Sequence, residues 1–252
     1  MIKAFVRALA TAAIVLGGTH QALAQTAAHT HVGIGVKGGF EGFGVDVAVP
    51  VAHRINARIG FGTFSLSHDF DEDGQTLAAK LKLGDVHAHV DLFPFGGGFH
   101  ISPGLVLHNS TSVSGTTSVQ AGDTFTLNDV DYRGSAFDPV KGTAGVSFGN
   151  VAPSVLLGWG NIVPRGNRRW GIQFETGVIF SKAPTFAMTM SGHACQVITN
   201  NNGQQTGCGP ALDLATDPTV KANLQAEIDK TNKDLKSLTI FPVISLGFSY
   251  KF

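Results

Sequence analysis

The last fourteen residues, Thr239 to Phe252, constrain this chain more than any other stretch. Ile240, Pro242, Ile244, Leu246, Phe248, Tyr250 and Phe252 alternate there with Val243, Ser245, Gly247, Ser249 and Lys251. A period of two is a strand. One face is continuously apolar and ends in aromatics, whereas the other is small or polar. That pairing fits a wall with hydrocarbon outside and a polar lumen within.

Helices do not supply the membrane crossing. The first 24 residues read as a secretory signal, with Lys3 and Arg7 as a basic start, Ala8 to Gly18 as an apolar run, and Ala22-Leu23-Ala24 as a small-residue cleavage site. That run is about eleven residues, short of the roughly 20 that a spanning helix needs. No later segment is long enough either. A chain that crosses without helices must close its strands into a barrel, because every backbone N–H and C=O in hydrocarbon has to be paired within the protein.

Composition agrees with many short strands. Glycine is abundant at 32 residues, and 18 phenylalanines dominate the aromatics. A secreted β-sandwich shares the glycine and strand content, but its apolar faces would point at each other. Charge is balanced at 18 basic and 18 acidic residues, and without Lys3 and Arg7 the 18 basic residues fall to 16, which leaves no basic excess for nucleic acid. Cys195 and Cys208 lie beyond the signal in an exported chain, so a disulfide is expected. A metal reading for the two thiols, with only His193 nearby, lacks a ligand set.

Eight alternating segments can be counted in order: 31–38, 43–49, 54–65, 77–93, 99–108, 151–159, 170–180 and the terminal strand. The fourth changes phase near Gly84, which reads as a bulge. From the second hairpin on, the connections alternate short and long. Those at 50–53, 94–98 and 161–169 are short; the acidic loop Asp69 to Gly74, 109–150 and 181–238 are the longer ones. Within the last, Asp217 is a helix N-cap, Pro218 fits the first helical position, and Val220, Leu224, Ile228 and Leu235 share a face. A helix near 218–236 either caps the barrel or lies on the membrane surface. Phe93, Phe95, Phe99, Trp159, Trp170, Tyr250 and Phe252 gather at the short turns as an interfacial girdle.

The expected fold is therefore all-β: an eight-stranded antiparallel transmembrane β-barrel over residues 25–252. It has two long extracellular loops, at about 109–150 and 181–238, the second containing a short helix. The terminal strand, with Phe248, Tyr250 and a last Phe252, resembles the closing strand of Gram-negative outer-membrane barrels. That resemblance implies recognition by the barrel-assembly machinery during biogenesis. The whole segment is similar to the small eight-stranded outer-membrane barrels of the OmpA/OmpX type. It implies a monomer in the bacterial outer membrane, surrounded by outer-membrane lipid, with no cofactor, no nucleic-acid partner and an extracellular ligand left open.

An eight-stranded barrel is just wide enough for its own side chains. Lys37, Arg58 and Lys251 point inward against Asp46, Asp91 and Glu175 as a charge network. Charges so buried must be paired. Two alternatives attach to the histidines. His87 and His89, two apart on one face, with His100 across the hairpin, form a candidate zinc or copper set. His108 and Ser110 resemble the pair used by outer-membrane lipid A deacylases, although Thr111 follows where those enzymes carry Asn and the register turns His108 into the lumen. The expected role is structural or loop-mediated binding around a plugged or very narrow lumen, without enzymatic activity. A porin-like small-solute or ion channel is the alternative, and a lipid A-modifying enzyme the third.

Overall fold

The alternating segments become the wall of a closed barrel. The computed structural model describes residues 31–72, 75–202 and 204–252; the segment expected as a signal, 1–24, lies outside them. In chain order the elements are β1 (Gly33–Gly39), β2 (Gly42–Ala52), β3 (Ile55–Glu72), β4 (Gln75–Leu92) and β5 (Phe99–Asn109). Then follow β6 (Ser112–Val119), β7 (Thr124–Leu127), β8 (Val130–Gly134), β9 (Val140–Ser147), β10 (Ala152–Trp159) and β11 (Trp170–Phe180). The chain ends with β12 (Thr185–Ser191), β13 (His193–Thr199), β14 (Gln205–Asp213), helix α1 (Pro218–Leu235) and β15 (Ile240–Lys251).

Eight of these strands close on themselves in the order β1, β2, β3, β4, β5, β10, β11, β15 and back to β1, every pair antiparallel. Closure leaves no edge in hydrocarbon. The burial pattern follows the expected faces. Along β10, Ala152, Ser154, Leu156 and Gly158 are buried, while Pro153, Val155, Leu157 and Trp159 are exposed. On β15 the exposed set is Pro242, Ile244, Leu246 and Phe248, against buried Val243, Ser245, Gly247 and Ser249.

β3 and β4 are each 18 residues long. At about 3.3 Å per residue they reach roughly 60 Å, about twice the hydrocarbon thickness. Their far halves stand beyond the barrel and found a second structure. There β4 leaves β5 and pairs with β6, and β6, β9 and β12 extend the same sheet. A separate four-stranded sheet, ordered β14, β13, β8, β7, lies in the same half of the chain. The segments 109–150 and 181–238 thus carry seven strands in addition to the expected helix, where the sequence shows only long loops. β6 and β9 escape period-two analysis because SVSGTTSV and VKGTAGVS have only valines as large apolar residues, whereas TFAMTMS on β12 does alternate.

This cap has its own apolar core, made by Val119, Leu127, Tyr132, Val140, Ala194, Leu214 and Val220, with Phe125, Met188, Met190 and Leu224 against it. The helix starts where expected, with the Asp217 carboxylate accepting from the N–H groups of Thr219 and Val220. Its apolar stripe does not face a membrane. Val220 is fully buried in the cap core, and the Asn232 amide bonds both the N–H and the C=O of Phe186 on β12. Cys195 and Cys208 form the disulfide, Cα atoms 5.6 Å apart, across β13 and β14.

Candidate functional site

Three inward carboxylates meet at one arginine. Arg58 on β3 places Nη2 at 2.7 Å from Glu175 on β11 and 3.0 Å from Asp91 on β4, and Nη1 at 3.5 Å from Asp46 on β2. All four side chains are almost entirely buried. A guanidinium suits this place because its planar fork offers five donors and never loses its charge. Lys37 joins from β1, 3.7 Å from Asp46 and 3.5 Å from Glu41. Glycines make the room: a Cβ on Gly60 would fall on the Asp46 carboxylate, and one on Gly158 would fall on the His100 ring.

Lys251 belongs elsewhere. Its Nζ donates to the carbonyls of Pro164 and Gly166, at 2.7 and 2.6 Å, because β15 carries it to the level of the short turns. The network instead recruits Glu41, and also Asp85 through His87, whose Nδ1 lies 2.5 Å from Asp85 and Nε2 2.8 Å from Asp46.

The three histidines expected to share a metal are aimed apart. His89 Nε2 lies 3.0 Å from the Ser154 hydroxyl, and His100 Nε2 lies 3.1 Å from Glu175. With His87 held between two carboxylates, each ring has its own partner. Among the described residues no group of three or more ligating side chains is arranged around a metal position.

The bulge expected on β4 sits on β5. Val86 pairs with His108 and His87 with Val106, which leaves Leu107 as the extra residue. That step turns His108 outward, where it is exposed and not in the lumen, because a one-residue insertion flips every side chain beyond it. Gly84 is where β4 changes partner from β5 to β6. Ser110 donates to the Gly84 carbonyl at 3.3 Å, so its hydroxyl is committed to the backbone and not to His108.

One mouth of the barrel is filled by the chain itself, and the other opens into a vestibule. At the short-turn mouth, residues 160–169 fold inward: Ile162 and Val163 are buried against Ala48, and the Asn161 side chain accepts from Asn56 and from the N–H of Val163, both at 2.8 Å. Phe93, expected in the girdle, is buried instead, with Arg165 stacked 4.8 Å over its ring. The short connection expected at 161–169 is thus also a plug, and the apolar pair Ile162-Val163 between Gly160 and Pro164 is its signal in the sequence. At the opposite mouth, a vestibule of about 380 Å³ lies between apolar walls from Leu83, Val106, Phe148 and Phe241. Asp85 Oδ1 and Ser181 Oγ line it, both buried and without a hydrogen-bond partner.

A closed wall with an apolar exterior, a charged and paired interior and long connections at one end defines an outer-membrane-type barrel of eight strands. The chain shares this fold with two solved structures from Acinetobacter baumannii. Against CarO the TM-score is 0.52 at 21% identity, over 87% of this chain and 97% of that one; against CarO2 it is 0.53 at 15% identity, over 89% and 100%. No protein-family model matches the chain, and no curated protein does.

Proposed function

We propose that this chain is an outer-membrane barrel that passes no solutes through an open pore and acts through its outer end, as a binding or structural protein. The observation that carries the reading is the Arg58 cluster, which spans the lumen from β2 to β11 with side chains buried and mutually paired. The inward turn at residues 160–169 adds a second obstruction in series. With the short turns periplasmic, as in bacterial barrels generally, the cap and the vestibule face outside the cell. The vestibule suits a small, largely apolar molecule carrying a hydrogen-bond donor for Asp85, since its walls are apolar and its unpartnered oxygens few.

The test is single-channel conductance of the refolded chain in a planar bilayer, with a heat-modifiable gel shift as proof of folding. A folded and silent barrel is expected. Discrete, stable openings would replace this reading with the small-solute channel.

A further inference from the structure

We propose that the short-turn rim carries a groove that binds the phosphate of an anionic phospholipid headgroup. The three segments that build this rim, 49–57, 92–99 and 159–171, contain Arg54, Arg165, Arg168 and Arg169 and no Asp or Glu. The far end of β3, Asp69 to Glu72, is acidic by contrast. Among the described residues none of the four guanidiniums pairs with a carboxylate. Arg54 donates to the Pro94 carbonyl at 3.0 Å, Arg165 to the Gly96 carbonyl, and Arg169 to the Tyr250 hydroxyl at 3.3 Å. Each bond uses one of five donors. The rest are free for an anion, and a phosphate is the oxyanion that an arginine fork grips with two parallel bonds.

The groove itself, about 780 Å³, is lined by Arg165, Arg168, Trp159, Trp170, Ile172 and Phe248, with the turn Gly96–Gly98 leaving its floor free of side chains. A Cβ on Gly97 would meet nothing, so among the described residues no side chain fills this space. Trp159 and Trp170 are 66% and 73% exposed, and Ile172 pairs across strands with Phe248 on the lipid-facing wall. The site thus runs from cations at the rim on to the apolar exterior. A free anion has no use for that second half, and a sugar polymer has none either; a phospholipid uses both. A zwitterionic headgroup brings its own cation to segments with no Asp or Glu to receive it, so the anionic headgroup is preferred.

The inference rests on the proposed orientation only for its leaflet, which is the periplasmic one. Whole-cell proteolysis of the cap tests that orientation separately. The binding test is native mass spectrometry of the full, disulfide-intact chain refolded in detergent, titrated with phosphatidylglycerol or phosphatidylethanolamine of matched chains. Retention of phosphatidylglycerol on the order of tenfold above phosphatidylethanolamine is expected, lost in Arg165→Gln/Arg168→Gln. Arg168→Gln alone, which disturbs no contact of the inward turn, should lower it part of the way. Lys230→Gln/Lys233→Gln on α1 removes the same charge from the cap and should leave it unchanged. Equal retention of the two lipids, equal loss with the helix variant, displacement by millimolar inorganic phosphate, or co-sedimentation with lipid-free peptidoglycan at the same affinity would each overturn the proposal.

Discussion

The barrel and its cap bury opposite things. In the barrel the paired charges are inside and most phenylalanines outside, so its interior is held by ion pairs around Arg58. In the cap the interior is Tyr132, Val140, Leu214 and Val220, with charged residues on the helix face that meets water. The solvent explains the inversion. Hydrocarbon rewards an apolar exterior and gives no reward for an apolar interior, so the lumen is free to be polar if every charge is matched. Water rewards the apolar core that the cap has, but the core is small, and the cap adds a disulfide, an N-cap and asparagine side chains that tie helix to sheet.

The sharpest way to break this comparison is to treat the lumen like a soluble core. Arg58→Met keeps the volume and leaves Asp46, Asp91 and Glu175 around an apolar chain. A loss of about 3 to 5 kcal/mol in barrel stability is expected, since removing one partner strands buried charge. Urea titration read by the heat-modifiable gel shift measures it. If the variant folds with an unchanged midpoint, the network is not what holds the lumen. The complementary break lies in the cap. Opening the Cys195–Cys208 bridge, as Cys195→Ser/Cys208→Ser, frees a short loop and should cost the cap about 3 kcal/mol. Hydrogen exchange should then rise in β13 and β14 while the barrel gel shift stays as it was. A lowered barrel midpoint would mean that the two regions fold as one unit.

The same contrast decides what the sequence can reveal. Barrel strands were legible because each has one lipid face and one lumen face, and Ile240 to Lys251 announces both. The inward charges Lys37, Asp46, Arg58, Asp91 and Glu175 followed from that phase. Two things hid from it. A single extra residue, Leu107, is invisible to a period-two count, yet it decides whether His108 looks into the lumen or out of it. The strands of the cap lie in water with sparse apolar residues, and the partner change of β4 at Gly84 depends on β6, which has no pattern of its own. Lys251 was misplaced for a third reason. Its face was right, but its height along the barrel, level with the inward turn, is a tertiary fact.

Smaller changes sharpen the comparison within the cap. Asp217→Ala removes the carboxylate that accepts from Thr219 and Val220, and should cost α1 about 1 kcal/mol. Faster amide exchange over the first turn of α1, with the β6 and β9 amides unaffected, is the expected signature; uniform acceleration would mean that the cap opens only as a whole.

The smallest expected effect is a pH dependence just ahead of the same helix. The Thr216 hydroxyl, followed by the Ala215 N–H, holds the Asp213 carboxyl below the usual carboxylate range. A carboxylate whose folded pKa is depressed stabilises above its unfolded value, about 3.9, and that contribution is lost as pH falls through the lower folded one. The turn between β14 and α1 should therefore loosen only below about pH 4, seen as movement of the Ala215 and Thr216 amide resonances. Asp213→Asn should keep the turn and abolish the titration. If those resonances stay fixed as pH falls below about 4, the Asp213 carboxylate does not hold the turn.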